Sequence, residues 1–175
     1  SLIDIYCTLK MGASMWIVPL AYFSMPLKLL QFLGDHRITT IRWVPSALNM
    51  VSAFRGLKTL LPSTLGKVIF GAEAMPTKCF NYLQSYYPEA VFVQIYGPTE
   101  ITGVCTYYIV DRKFEDTETI PIGRPFLNSG VFLLNEQNGL IAESDVGVIG
   151  EICVKGTCLS HGYYNAPENT CEVFV

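Results

Sequence analysis

Up to about Val110, short runs rich in β-branched and aromatic residues alternate with helical stretches, and this rhythm limits the fold more than any other feature of the chain. Met15 to Val18, Thr39 to Val44, Lys67 to Phe70 and Val91 to Ile95 read as strands. Between them, Pro26 to Leu33 closes at Gly34, Ser46 to Phe54 closes at Gly56, and Pro76 to Tyr86 stops before Pro88, each with a start or stop signal suited to a helix. Strand, crossover helix and strand make a βαβ unit, so residues 1–110 are expected to form an α/β subdomain with alternating βαβ order and a mostly parallel sheet. After Asp111 the texture changes. A charged stretch, Asp111 to Glu118, leads to strand-like runs at Val131 to Leu134 and Ile149 to Val154, separated by glycine-containing turns. Residues 111–175 are expected to form a β-rich, partial-barrel subdomain. Helices are expected over Asp4 to Lys10 and from Pro167 onward, and both ends of the chain read as cut.

With 175 residues, 50% of them hydrophobic, the chain can bury one sizeable core or two small ones. Twelve Lys and Arg against 15 Asp and Glu leave no basic surplus for a phosphate backbone, which argues against a nucleic-acid partner. The longest uncharged apolar run, Met11 to Leu27, is broken by Pro19 and Pro26 and is shorter than the about 20 residues a spanning helix needs. No membrane span is expected, and cytoplasm is the simplest address. The six cysteines form no CxxC pair and there are only two histidines, so no zinc site is expected. Cys79, Cys105 and Cys153 read as small core hydrophobes in a reducing compartment, and His36 and His161 as surface or packing residues.

The chemistry concentrates in Ile95-Tyr96-Gly97-Pro98-Thr99-Glu100, at the carboxyl end of the strand Val91 to Ile95, where parallel sheets bind ligands. An aromatic ring can lie on a base, Gly97 and Pro98 set a tight turn, a hydroxyl can meet a phosphate oxygen, and a carboxylate can hold Mg²⁺. The same residues would equally make an ordinary turn with a core tyrosine and a capping carboxylate.

The segment resembles the YGPTE motif of the adenylate-forming superfamily, and its spelling is closer to amino-acid adenylation domains than to acyl-CoA ligases. Phe70-Gly71-Ala72-Glu73-Ala74-Met75-Pro76 is similar to that family's GGEAL-type segment. Pro121-Ile122-Gly123-Arg124-Pro125 followed by Asn128 is similar to its PIGRP…N segment. Gly150-Glu151-Ile152 through Gly156 and Gly162-Tyr163, then Pro167-Glu168-Asn169-Thr170, resembles its GEL…G…GY…PE.T segment. The four lie in the family's order, and the resemblance spans the whole chain. D-alanine to carrier-protein ligases and peptide-synthetase adenylation domains are the nearest in spelling, Asp4-Ile5-Tyr6 being like the former.

The resemblance implies an internal piece of an ATP-dependent ligase that activates an amino acid as its adenylate and passes it to the phosphopantetheine thiol of a carrier protein. It implies that Tyr96 stacks on adenine, with Gly97 beside it. Thr99 would meet the α-phosphate region, Glu100 would bind Mg²⁺, and the Gly71-Ala72-Glu73 backbone would run along the adenine edge. Thr99 and Glu100 are thus the expected catalytic residues, and ATP or AMP and Mg²⁺ the expected cofactors. The acid pocket would be lined by Arg42, Ile69, Gly71, Ile95, Gly103 and Val104. Arg42, on a strand that reads as buried, needs an anion: a polar group of the substrate or a salt bridge within the fold. Gly156, Gly162 and Tyr163 read as turn geometry and packing. The family's phosphate loop would lie before Ser1, its ribose-binding aspartate after Val175 and its catalytic lysine in a further domain, so the piece alone is expected to be inactive. An acyl-CoA or aryl-acid ligase, or a non-catalytic nucleotide-binding remnant, is the alternative.

Overall fold

The structure is a computed structural model that describes residues 2–174. It divides into two compact units, Ser1–Tyr96 with Tyr107–Gly123, and Gly97–Thr106 with Arg124–Val175.

In the first unit the elements run α1 (Leu2–Lys10), a 3₁₀ turn (Leu20–Ser24), α2 (Pro26–Asp35), β1 (Thr40–Trp43), α3 (Pro45–Ala53), a second 3₁₀ turn (Gly56–Lys58), β2 (Lys67–Gly71), α4 (Thr77–Tyr86), β3 (Val91–Tyr96) and β4 (Thr106–Ile109). Strands β1, β2 and β3 are adjacent and parallel, with Thr40 opposite Lys67 and Lys67 opposite Val91. This is the expected βαβ rhythm. The helices are placed by their apolar stripes: Leu29, Leu30 and Leu33 of α2, Leu48 and Val51 of α3, and Cys79, Phe80 and Leu83 of α4 are buried. They enclose Val68, Phe70 and Phe92 of the sheet, and Phe80 meets Phe92 edge-on with ring centroids 5.2 Å apart.

Two helix ends differ from the sequence expectation. α2 runs past Gly34 to Asp35, and the left-handed residue that closes it is Arg37 (φ 50°), with Arg37 N–H donating to Gly34 O and Ile38 N–H to Leu33 O. α3 likewise closes with Arg55 at φ 50° rather than with Gly56. Met15 to Val18 is not a strand: residues 13–19 have no regular structure. Trp16 instead stacks on His36 at 3.9 Å and packs edge-on against Phe32, so side-chain contacts hold the segment where no ladder does. The sequence reading placed no strand over Thr106–Ile109, although Thr-Tyr-Tyr-Ile is a run of good strand formers.

The charged stretch Asp111 to Glu118 is pinned to α4 by side chains one helical turn apart. Thr77 Oγ1 donates to Glu118 O at 2.5 Å, and Asn81 Nδ2 donates to Phe114 O and Asp116 Oδ1, both at 2.9 Å. Phe114 and Ile120 enter the core, and the Arg112 guanidinium, paired with Glu118, lies over the Phe114 ring at 3.8 Å.

In the second unit β5 (Arg124–Pro125) precedes β6 (Ser129–Leu134) and β7 (Glu151–Gly156), and α5 (Pro167–Val173) follows. β6 and β7 form an antiparallel ladder with Ser129 opposite Gly156 and Leu134 opposite Glu151. Among the described residues β6 and β7 make a two-stranded sheet. Cys79, Cys105 and Cys158 are buried and Cys153 is half-buried, none of the six cysteines is in a disulfide, and burial pushes the Cys79 thiol up to about 11, which disfavours the reactive thiolate. No helix among the described residues is long and apolar enough to cross a membrane.

Phe80 has no exposed surface and touches both the sheet and Phe114. Phe80→Ala is expected to destabilise the fold by ~3–5 kcal/mol, read as a lower urea midpoint with unchanged slope.

Candidate nucleotide and acid site

Strands β2 and β3 end side by side, and the turn that leaves β2, the end of β3 and residues 119–122 form a cleft in the first unit. Gly71 stands opposite Ile95 in the ladder, and a side chain there would collide with the Ile95 carbonyl oxygen. Only glycine allows that approach. The next residue, Ala72, takes a left-handed conformation (φ 72°), which turns the chain sharply at the sheet's carboxyl edge. The resulting cleft has a volume of about 290 Å³, and Ala72, Glu73, Ala74, Gln94, Ile95 and Tyr96 contribute to its wall together with Thr119 and Ile120. That is the low end of the size of small-molecule sites, enough for a base rather than a whole nucleotide.

Three of the expected nucleotide residues, Ala72, Glu73 and Tyr96, therefore line one cleft, with Gly71 at its root. The Glu73 carboxylate is engaged elsewhere. It accepts from Ser46 N–H at 2.9 Å and from Ser46 Oγ at 3.1 Å, satisfying the exposed amide end of α3 from 27 positions away.

Gln94 was not singled out by sequence reasoning. It is 6% exposed, lines the cleft, and donates through Nε2 to Ile120 O at 3.4 Å, while its Oε1 is buried and finds no donor among the described residues. A glutamine in the apolar run Val91 to Ile95 is the signal that marks it.

Four of the six expected acid-site residues share one face of the sheet. Arg42 is opposite Ile69, Ile69 and Gly71 are two apart on β2, and Gly71 is opposite Ile95, so alternation puts all four on the same side. Arg42 meets the salt bridge within the fold that the sequence left open: its Nη1 donates to Asp4 Oδ1 and Oδ2 of α1 at 3.1 and 3.0 Å. Gly103 and Val104 belong to the second unit, where the turn folds back on itself, since a side chain at Gly97 would lie 2.6 Å from Gly103 O and 2.7 Å from Val104 Cα.

Thr99 and Glu100 also belong to the second unit, because the boundary falls between Tyr96 and Gly97. Thr99 is exposed and Glu100 half-buried. The backbone after them is tied to the segment that follows β7: Ser160 N–H donates to Glu100 O at 2.9 Å and Thr102 N–H to Cys158 O at 2.7 Å. Tyr163 hydroxyl donates to Glu100 Oε1. That bond holds the Glu100 carboxyl below the usual carboxylate range and pushes the Tyr163 phenol above its own. Tyr163, expected only to pack, is thus in contact with the expected metal ligand.

Among the described residues no three His, Cys, Asp or Glu side chains cluster as a metal cage. A lone carboxylate still suits Mg²⁺, which keeps several waters and is commonly shared between one or two carboxylates and a substrate's phosphates.

Residues 1–164 match the family model described as AMP-binding enzyme. Tyrocidine synthase 3 of Brevibacillus parabrevis is 36% identical over 175 residues, 98% of this chain and 2% of that protein. An L-proline--[L-prolyl-carrier protein] ligase of Streptomyces coelicolor is 32% identical over 170 residues, 96% of this chain and 31% of that protein. The crystal structure of the Vibrio cholerae adenylation domain AlmE, solved with glycyl-adenosine-5'-phosphate, superposes with a TM-score of 0.83 at 27% identity, covering 98% of this chain and 32% of that one. The chain thus spans a third or less of these proteins. The match over residues 1–164, which include every residue of the cleft, establishes that this chain belongs to the AMP-binding enzyme family.

Proposed function

We propose that this chain is the nucleotide- and acid-binding part of a ligase that joins the carboxylate of an amino acid to the α-phosphate of ATP. In that reaction a carboxylate oxygen bonds to the α-phosphorus, the bond to the bridging oxygen breaks, and pyrophosphate leaves. The observation that carries the reading is the cleft at the carboxyl ends of β2 and β3, with Gly71 at its root and Tyr96 in its wall. Tyr96 offers a ring face for adenine, and the Gly71-Ala72-Glu73 backbone offers its edge. Thr99 is proposed to hold the α-phosphate region by its hydroxyl and Glu100 to hold Mg²⁺. Mg²⁺, when bound, offsets negative charge on the phosphates.

The acid is proposed to sit on the sheet face that carries Arg42, Ile69, Gly71 and Ile95, and Gly103 and Val104 are proposed as acid-binding residues from the resemblance. Residues 1–110 are proposed as the nucleotide- and acid-binding subdomain, with residues 111–175 as a β-rich one. Transfer of the acyl group to a carrier-protein thiol is supported by the carrier-protein ligase among the relatives, and an amino-acid substrate by that ligase and by the glycyl adenylate held by AlmE. The chain by itself, spanning 31% of the length of such a ligase, is proposed to be inactive.

The full-length protein is expected to exchange radiolabelled pyrophosphate into ATP only when a cognate amino acid is present. Exchange with carboxylic acids lacking the amino group, and none with amino acids, would reassign it to the acyl or aryl ligases. Silence across both panels would reject the ligase reading.

Arg42 is proposed to tune which acid is accepted, its guanidinium aimed by Asp4. Arg42→Ala in the full-length protein is expected to change the relative exchange rates among acids by roughly tenfold or more, the scale of one charged hydrogen bond. A uniform loss across the panel, with the same ranking of acids, would make the ion pair purely architectural.

A further inference from the structure

We infer that Tyr163 is a positioning residue for Glu100: its hydroxyl fixes one carboxylate oxygen so that the other is presented to the metal that accompanies the nucleotide. The inference rests on the proposed role of Glu100 as a magnesium ligand and extends it to a residue 63 positions away.

The geometry is built for this task from several directions. Tyr163 hydroxyl donates to Glu100 Oε1. Its backbone N–H donates to Thr170 Oγ1 at 2.9 Å, and Thr170 Oγ1 in turn donates to Ala166 O at 2.8 Å, so the residue is tied to the first turn of α5. The Tyr163 ring meets Phe174 edge-on with centroids 5.6 Å apart. On the other side the Glu100 backbone is held by Ser160 N–H at 2.9 Å, and Ile101 forms a bridge with Leu159. Both partners are therefore anchored through their main chains, and the hydroxyl-carboxylate bond joins two fixed points. Gly162-Tyr163, which sequence alone reads as turn geometry and packing, and the helix start at Pro167 to Thr170 thereby acquire a role.

The consequence follows from what a carboxylate must do to bind Mg²⁺. The ion demands near-ideal octahedral geometry and takes few protein ligands, so a single carboxylate must arrive in one orientation. A free glutamate has several rotamers to lose on binding, whereas one held at Oε1 has lost them already.

The test uses the full-length protein with Tyr163→Phe, which keeps the ring against Phe174 and removes only the hydroxyl, beside Glu100→Gln. In metal-free protein, carbon-13 carboxyl titration is expected to show the Glu100 pKa higher in Tyr163→Phe than in wild type. With a non-hydrolysable ATP analogue, Mn²⁺ followed by electron paramagnetic resonance is expected to bind roughly 3–10-fold more weakly. The Mg²⁺ concentration for half-maximal pyrophosphate exchange should rise by a similar factor, with the plateau rate within about twofold of wild type. If Glu100→Gln cripples metal binding while Tyr163→Phe keeps both the wild-type carboxyl titration and the wild-type Mn²⁺ affinity, the positioning role is overturned and the metal reading stands. If Glu100→Gln binds Mn²⁺ like wild type, the metal reading itself fails and the inference falls with it.

Discussion

The cleft exists because β2 and β3 can approach closely at Gly71. Parallel strands lie about 4.8 Å apart, and where one of them ends in a turn its side chains ordinarily fill the space beside the neighbour. At Gly71 that space is taken by the Ile95 carbonyl, so the last residue of β2 lies with its backbone against the backbone of β3. Ala72 then adopts a conformation that costs an alanine roughly 1–2 kcal/mol. Non-glycine residues hold such backbones where the surrounding structure over-determines them, and Ala72 does so in the wall of the cleft, beside Glu73 and Tyr96.

Charges near the cleft are spent on architecture before they can reach a ligand. Glu73 satisfies the amide end of α3, and Asp4 draws Arg42 toward α1. Each pairing fixes a backbone segment that the proposed ligand would touch. With Glu73 turned to Ser46, it is the main chain of the Gly71-Ala72-Glu73 turn that remains to meet a base, by shape and hydrogen bonding rather than by charge. With Arg42 paired, the sheet face beside Ile69 carries an ion pair rather than an isolated cation, which lowers the cost of burying it.

The strands and helices of the first unit were legible because burial and periodicity agree there: Val68, Phe70 and Phe92 face a core that the stripes of α2, α3 and α4 cover. Met15 to Val18 misled because strand propensity says nothing of a partner, and the stacking of Trp16 on His36 fixes that segment instead. Gly34 and Gly56 misled as helix stops because the left-handed positions fall on Arg37 and Arg55, where helix-closing hydrogen bonds outweigh the local preference for glycine. Tyr96 was legible from a strand followed by a tight turn. Gln94 carried a signal, a lone amide in an apolar run, whereas Tyr163 was hidden by the 63 positions that separate it from Glu100.

The last wall of the cleft comes from the least structured part of the sequence. Thr119 and Ile120 lie beyond the charged stretch, and nothing in their local pattern brings them to β3. They are brought there by polar contacts that anchor the chain step by step: Asn81 holds Phe114 and Asp116, Thr77 holds Glu118, and Gln94 holds Ile120. Each donor stands on a rigid element, and three of these four bonds end on a backbone carbonyl, so the wall is fixed largely by main-chain position. Thr77, Asn81 and Gln94 thus set where the wall stands, and the Arg112–Glu118 pair and the Asp116 carboxylate hold the stretch that leads to it. Of the three, Gln94 alone also faces the cleft, which couples the placing of the wall to whatever the cleft receives.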